Sequence, residues 1–123
     1  MNEKNTERLN ADFPRIFPTP FCFECSDGWF NLLHKLCADI DNECERLGLS
    51  QDEWTQATQI KEKLGGLRFY VTSCGNSIHD LIEAAEEKSL ETCESCGLSG
   101  RKRRGGWIRT LCDTCEALNN KPK

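Results

Sequence analysis

Trp29, Leu33, Leu36, Ile40, Cys44 and Leu47 recur at steps of three and four residues, which gathers them on one face of a helix. Ser26 or Asp27 stands where a cap is needed, and Gly48 where the helix should stop. Asp39, Asp41, Glu43 and Glu45 fall off the stripe and are expected to face solvent. The period then changes. Trp54 to Ile60 and Leu67 to Thr72 read as strands, the second alternating Leu67, Phe69 and Val71 with Arg68, Tyr70 and Thr72. The polar stretch 61–66, ending in two glycines, predicts a hairpin connection. Ser77 and Asp80 resemble a capping box and open a second helix. Its inner face is Ile78, Leu81, Ile82, Ala85 and Ser89; Glu83, Glu86, Glu87 and Lys88 make a solvated face.

Outside these elements the patterning is weaker. Residues 1–12 are polar and expected to fray or to be partly helical. Residues 13–20 set three prolines among Phe13, Ile16 and Phe17, which predicts an extended arm held by its apolar side chains. Phe13, Phe17, Phe21 and Phe23 either close the core or meet a partner. A strand, Trp107 to Leu111, leads towards the C-terminal cysteines, and the tail after Cys115 is expected to fray. The predicted fold class is α+β: helix, β-hairpin, helix, then a C-terminal cysteine-rich ribbon. It divides into an arm (1–24), an α/β domain (25–91), the ribbon (92–118) and a tail (119–123).

The cysteines sharpen this picture. Cys93 and Cys96 form one CxxC pair and Cys112 and Cys115 another, separated by fifteen residues. Two such knuckles present four thiolates to one ion, a closed S4 shell that suits a structural Zn2+ and leaves no open position for chemistry. Gly97 allows the chain to turn back past the sulfurs. A single CxxC beside a βαβ pattern would point to redox chemistry, and no such pattern occurs. One structural zinc ion is expected. Cys22 and Cys25 form a third CxxC, but a second ion there would need two more ligands. Cys37 and Cys44, seven residues apart on one helix face, are about 10.5 Å apart and cannot both serve. These thiols, with Cys74, are read as small buried or surface groups; a redox or metal-handling role for them is the weakest alternative.

A net charge of −4 argues against general attraction to nucleic acid or anionic membranes. No apolar run reaches membrane-spanning length and nothing resembles a signal peptide, so a cytoplasmic location is expected. The basic cluster Arg101, Lys102, Arg103 and Arg104, beside Trp107, is the exception: four cations next to an aromatic can track a phosphate backbone and stack on a base. The same cluster also suits a solvated hairpin tip or an acidic protein surface. His34 and His79 have no partner pattern around them, and no phosphate loop, nucleophile elbow or His-Glu metal motif appears. No catalytic residues and no small-molecule substrate are expected.

Three segments carry a family resemblance. They are Cys25-Ser-Asp-Gly-Trp-Phe30, Gln59-Ile-Lys-Glu-Lys-Leu-Gly-Gly-Leu-Arg-Phe-Tyr70, and the stretch from Cys93 to Asp113. Across residues 25–115 the chain resembles a family of small bacteriophage, prophage and bacterial proteins with a KEKFGGLRFY-like strand motif before a zinc-binding segment. Leu64 stands where phenylalanine is usual, and Cys115 where many members carry histidine. The resemblance implies zinc ligation by the four cysteines and no known activity. With the small acidic build, it implies an accessory protein in a bacterial host cell that binds a host protein, such as a CRISPR-like defence nuclease complex, to inhibit it. The alternative is a nucleic-acid-binding regulator using the ribbon tip.

Overall fold

The computed structural model describes residues 1–119; positions 120–123 of the expected tail lie outside the described residues. The elements run α1 (Glu3–Asp12), α2 (Phe30–Arg46), β1 (Ala57–Lys63), β2 (Gly66–Val71), α3 (Asn76–Ser89), β3 (Arg101–Arg103), β4 (Arg109–Leu111) and α4 (Asp113–Asn119). The chain is therefore α+β: helix, hairpin and helix, followed by a segment that gathers four cysteines. No helix among the described residues is long and apolar enough to cross a membrane.

The stripe on α2 buries Phe30, Leu33, Leu36, Cys37, Ile40 and Cys44 against the hairpin and α3. Leu47, expected to extend that stripe, lies past the last helical turn and is exposed, because Gly48 at φ +67° ends the helix there. Neither Ser26 nor Asp27 caps α2; a 3-10 turn, Asp27–Trp29, leads into it without a side-chain cap. Asp27 Oδ1 instead accepts hydrogen bonds from the Asn2 backbone N–H and Asn5 Nδ2, which ties α1 to the start of the core. Asp41 does not simply face solvent. Its Oδ1 accepts the indole N–H of buried Trp54 at 2.9 Å, and burial raises its pKa from the ordinary value against the lowering effect of that bond.

The proline-rich segment is not extended throughout. The amides of Ile16 and Phe17 both reach the Phe13 carbonyl, closing a tight turn. Pro14 permits this because its fixed φ suits a first helical position, where the missing N–H has no partner to lose. Phe13, Ile16, Phe17 and Phe23 are buried, and the rings of Phe17, Phe21 and Phe23 meet at 5.0–5.3 Å. The phenylalanines close the core.

The hairpin is longer at its tip than the sequence suggests. Lys61, Glu62 and Lys63 pair with Arg68, Leu67 and Gly66, leaving only Leu64 and Gly65 as the turn. Both have positive φ, +53° and +84°, as the central residues of a type I′ turn require. At the other end Trp54 precedes the strand, after a 3-10 turn at Gln51–Glu53 capped by Ser50 and Glu53. Ile60, Leu67 and Phe69 point into the core and Tyr70 outwards.

α3 opens at Gly75 without a side-chain cap, so the Ser77–Asp80 box does not form; Ser77 reaches Glu43 on α2. Ile78, Ile82, Ala85 and Ser89 are buried as the periodicity predicts. Glu86 is not part of a solvated face. Its Oε2 accepts the Phe69 N–H, while Ser89 Oγ accepts the Leu67 N–H, so α3 satisfies the free edge of β2.

Candidate metal centre

Ser89, the last residue of α3, is only four positions before Cys93, so the first knuckle is set by the end of a packed helix. The Cys93 carbonyl accepts the Gly97 N–H at 2.9 Å, and the Cys93 N–H reaches the Leu98 carbonyl at 2.7 Å. This turn needs Gly97 at φ +86°. β4 then delivers Cys112. Residues 116–119 of the tail expected to fray instead belong to α4, which starts at Asp113 and carries Cys115 on its first turn. Its Glu116 N–H bonds the Cys112 carbonyl, and the Cys115 N–H points at Cys112 Sγ at 3.4 Å.

The result is convergence. The sulfurs of Cys93, Cys96, Cys112 and Cys115 all lie within 4.8 Å of one another, with Cys96 and Cys112 at 3.6 Å. A tetrahedral shell with metal–sulfur bonds of about 2.3 Å places its sulfurs about 3.8 Å apart, so this cluster fits such an ion closely. Among the described residues it is the one group of three or more histidine, cysteine or acidic side chains so arranged. Four cysteines close together can hold one metal ion.

Their protonation suits the task. Burial alone would raise the Cys93 thiol, but the amides of Cys112, Cys96 and Ser95 outweigh it and draw it down to about 6. Cys115 is pushed up to about 12, chiefly by its hydrogen bond with Cys112 and by burial. Cys96 also rises, against the Leu98 amide, through burial and its contacts with Cys112 and Cys93. Cysteine binds a metal as thiolate, so an ion entering this cluster would displace thiol protons.

The centre is fastened to the core at several points. The Gly28 N–H donates to the Glu94 carbonyl at 2.6 Å, and the Glu94 N–H to the Thr110 carbonyl at 2.9 Å. Trp29 Nε1 donates to the Thr92 carbonyl, and Thr110 Oγ1 to the Gly65 carbonyl in the hairpin turn. Gly28 has no room for a side chain; a Cβ there would lie 2.2 Å from the Cys93 oxygen.

The basic cluster is divided by the fold. Arg103 is engaged: its Nε donates to the Leu111 carbonyl and its Nη2 to Asp113 at 2.7 Å. Arg101 lies 3.9 Å from the same carboxylate. Lys102 and Arg104 are exposed, and Trp107 is 77% exposed on the far side of the turn. Trp107 also lies outside β4, which begins at Arg109. His34 bonds Asp12 at 2.9 Å, holding α1 to α2, and His79 is exposed beside Glu83. Cys22 is exposed and Cys25 buried, where burial and the Glu94 charge push its thiol up to about 12.

One feature has no signature in the sequence. Phe23, Glu24, Cys25, Glu62, Glu94, Trp107 and Arg109 surround a recess of about 590 Å³ between the hairpin and the ribbon. Glu94, between two of the cysteines, is 4% exposed, with Oε2 accepting the Ser26 N–H at 3.1 Å. Only an inward constraint on a knuckle residue could have marked it, and spacing carries none. Comparison with known protein families, with characterised proteins and with solved structures finds no match to this chain.

Proposed function

We propose that the chain is a non-enzymatic protein that holds one structural Zn2+ at Cys93, Cys96, Cys112 and Cys115 and acts by binding another protein. The observation that carries this reading is the convergence of four sulfurs within 4.8 Å. Four thiolates fill a tetrahedral shell, so the ion stabilises the segment and presents no site for substrate. The resemblance to phage and prophage proteins supports a bacterial host protein as the partner, with inhibition of a CRISPR-like defence nuclease complex as the biological outcome.

A nucleic-acid reading is favoured by one observation: Arg104, Lys102 and Trp107 are exposed near one another in sequence at the ribbon tip. Against it, Arg103 is tied to Asp113 and the Leu111 carbonyl. A tagged capture from bacterial lysate, with and without nuclease, separates the two. A stoichiometric protein that survives nuclease supports the first reading. Captured material that vanishes with nuclease, and binding that weakens steeply with salt, supports the second. Metal analysis of the purified chain should return one zinc per chain.

A further inference from the structure

Glu94 Oε1 is the one buried side-chain nitrogen or oxygen among the described residues with no hydrogen-bond partner. A carboxylate oxygen shut from water and left without a donor is costly, and native structures seldom leave one without a reason. Its neighbour Arg109 holds Nε 3.7 Å away, an ionic contact too long for a hydrogen bond. Both residues line the recess between the hairpin and the ribbon.

The recess has the wrong charge to be complete by itself. Glu24, Glu62 and Glu94 line it, while among the described residues the cations lining it are Arg109 and the Met1 ammonium, the latter donating to the Cys25 carbonyl at 2.6 Å. Among the described residues, three carboxylates against two cations leave one negative charge over. Two carboxylates keep an oxygen engaged at the wall: Glu24 Oε2 accepts Gln59 Nε2, and Glu62 Oε2 accepts the Gly65 N–H. Trp107, 77% exposed, also lines the recess, and an indole ring attracts a cation. Beside it Leu64, 59% exposed, forms with Trp107 and Ile108 an apolar shelf that continues from the recess through Glu62 and Trp107.

We propose that this recess receives an arginine side chain of the protein partner. The guanidinium inserts beneath Trp107 among Glu24, Glu62 and Glu94, and the partner's flanking apolar residue rests on Leu64 and Ile108. A guanidinium fits on three counts: it supplies the missing positive charge, it brings planar donors to carboxylates, and it stacks on an indole. Arriving over Arg109, it presses that side chain from 3.7 Å towards Glu94 Oε1, which then gains its donor. The inference deepens the protein-binding reading and rests on it for the source of the arginine.

The test uses the full zinc-loaded chain in 1H–15N NMR, titrated with N-acetyl-arginine amide and, at matched ionic strength, with the uncharged isostere N-acetyl-citrulline amide. Saturable shifts are expected at the Trp107 indole and the Glu94 and Arg109 amides with arginine, and binding about tenfold weaker or worse with citrulline. Glu62→Gln and Trp107→Ala, both outside the core, should each weaken arginine binding by about tenfold. Glu62→Gln keeps an oxygen for the Gly65 amide, so the hairpin turn stands. Equal responses to the two ligands, no response, or arginine shifts spread over α3 and unmoved by both variants would overturn the recess. No lysate enters this titration, so its failure removes the arginine site and leaves the protein-binding reading to its own capture experiment.

Discussion

The Gly28 amide donates to the Glu94 carbonyl at 2.6 Å, joining the turn before α2 to the first cysteine knuckle. That approach is possible only because Gly28 has no side chain. Gly28→Ala forces a Cβ against the carbonyl oxygens of Cys93 and Glu94, at 2.2 and 2.3 Å, where both neighbours are backbone and cannot yield. The expected loss is about 3 kcal/mol, read as a lowered denaturation midpoint, with weaker zinc retention under chelator challenge. Gly106→Ala, which meets nothing within 4 Å, is the control and should shift stability by less than about 0.5 kcal/mol.

Removing the metal should be felt first at Trp29. Its indole nitrogen donates to the Thr92 carbonyl, one residue before Cys93. Chelation, or Cys112→Ser, should abolish stoichiometric zinc and change the near-ultraviolet signal of the tryptophans. Most far-ultraviolet helix signal should persist, because α2 and α3 pack on the hairpin through Leu33, Ile40, Ile60, Leu67 and Ile78. An unchanged tryptophan environment in the metal-free chain would contradict the coupling.

The hairpin turn holds a correctable strain. Leu64 sits at φ +53° with its side chain exposed, a conformation that costs an ordinary residue about 1–2 kcal/mol. Leu64→Asn would create Asn-Gly, the pair that type I′ turns favour. Thermal denaturation should show a gain of about 1 kcal/mol.

Asp41 should reveal itself by a contrast between two substitutions. Its pKa is raised chiefly by burial, so keeping it ionised opposes folding above that raised value, and the opposition fades as pH falls and the group protonates. Asp41→Asn keeps an acceptor for Trp54 Nε1 and should be neutral or stabilising at pH 7. Asp41→Ala leaves the buried indole N–H unpaired, at a cost of about 1–3 kcal/mol.

Asp12 has the opposite sign. Its hydrogen bond with His34 is the largest influence on it and holds its carboxyl below the ordinary value. Its contribution is therefore complete above the ordinary carboxylate range and disappears as pH falls through the lowered value. Acidification should loosen α1 from α2 before the core melts, seen as faster amide exchange in Glu3–Asp12. Asp12→Asn should flatten that pH dependence.

Local regularities were legible in the sequence where one element settles them. The three- and four-residue steps from Trp29 to Cys44 located α2, the alternation of Leu67 and Phe69 oriented β2, and CxxC spacing marked the cysteine cluster. Features shared between distant segments were not legible. The need for glycine at Gly28 comes from the Cys93 and Glu94 carbonyls, and the recess is assembled from Glu24, Glu62 and Glu94 on three different stretches. Side chains that answer a tertiary demand were misread for the same reason. Glu86, Asp41 and Asp27 look like solvent-facing charges or caps until the amide or indole each one satisfies is known.

The bond from Trp29 to Thr92 spans 63 residues, and the one from Ser26 to the Glu94 carboxylate spans 68. A chain emerging from a ribosome reaches α2 early, but the Trp29 indole has no acceptor until the first knuckle follows α3. The Glu94 N–H in turn has no acceptor until Thr110 arrives. Assembly is thus finished from its far end, and under the proposed zinc-binding function metal capture is a closing step that seals the beginning of the core as well as the ribbon. Refolding with zinc withheld should accordingly stall at a state whose helices and hairpin are formed and whose first buried tryptophan is still loose.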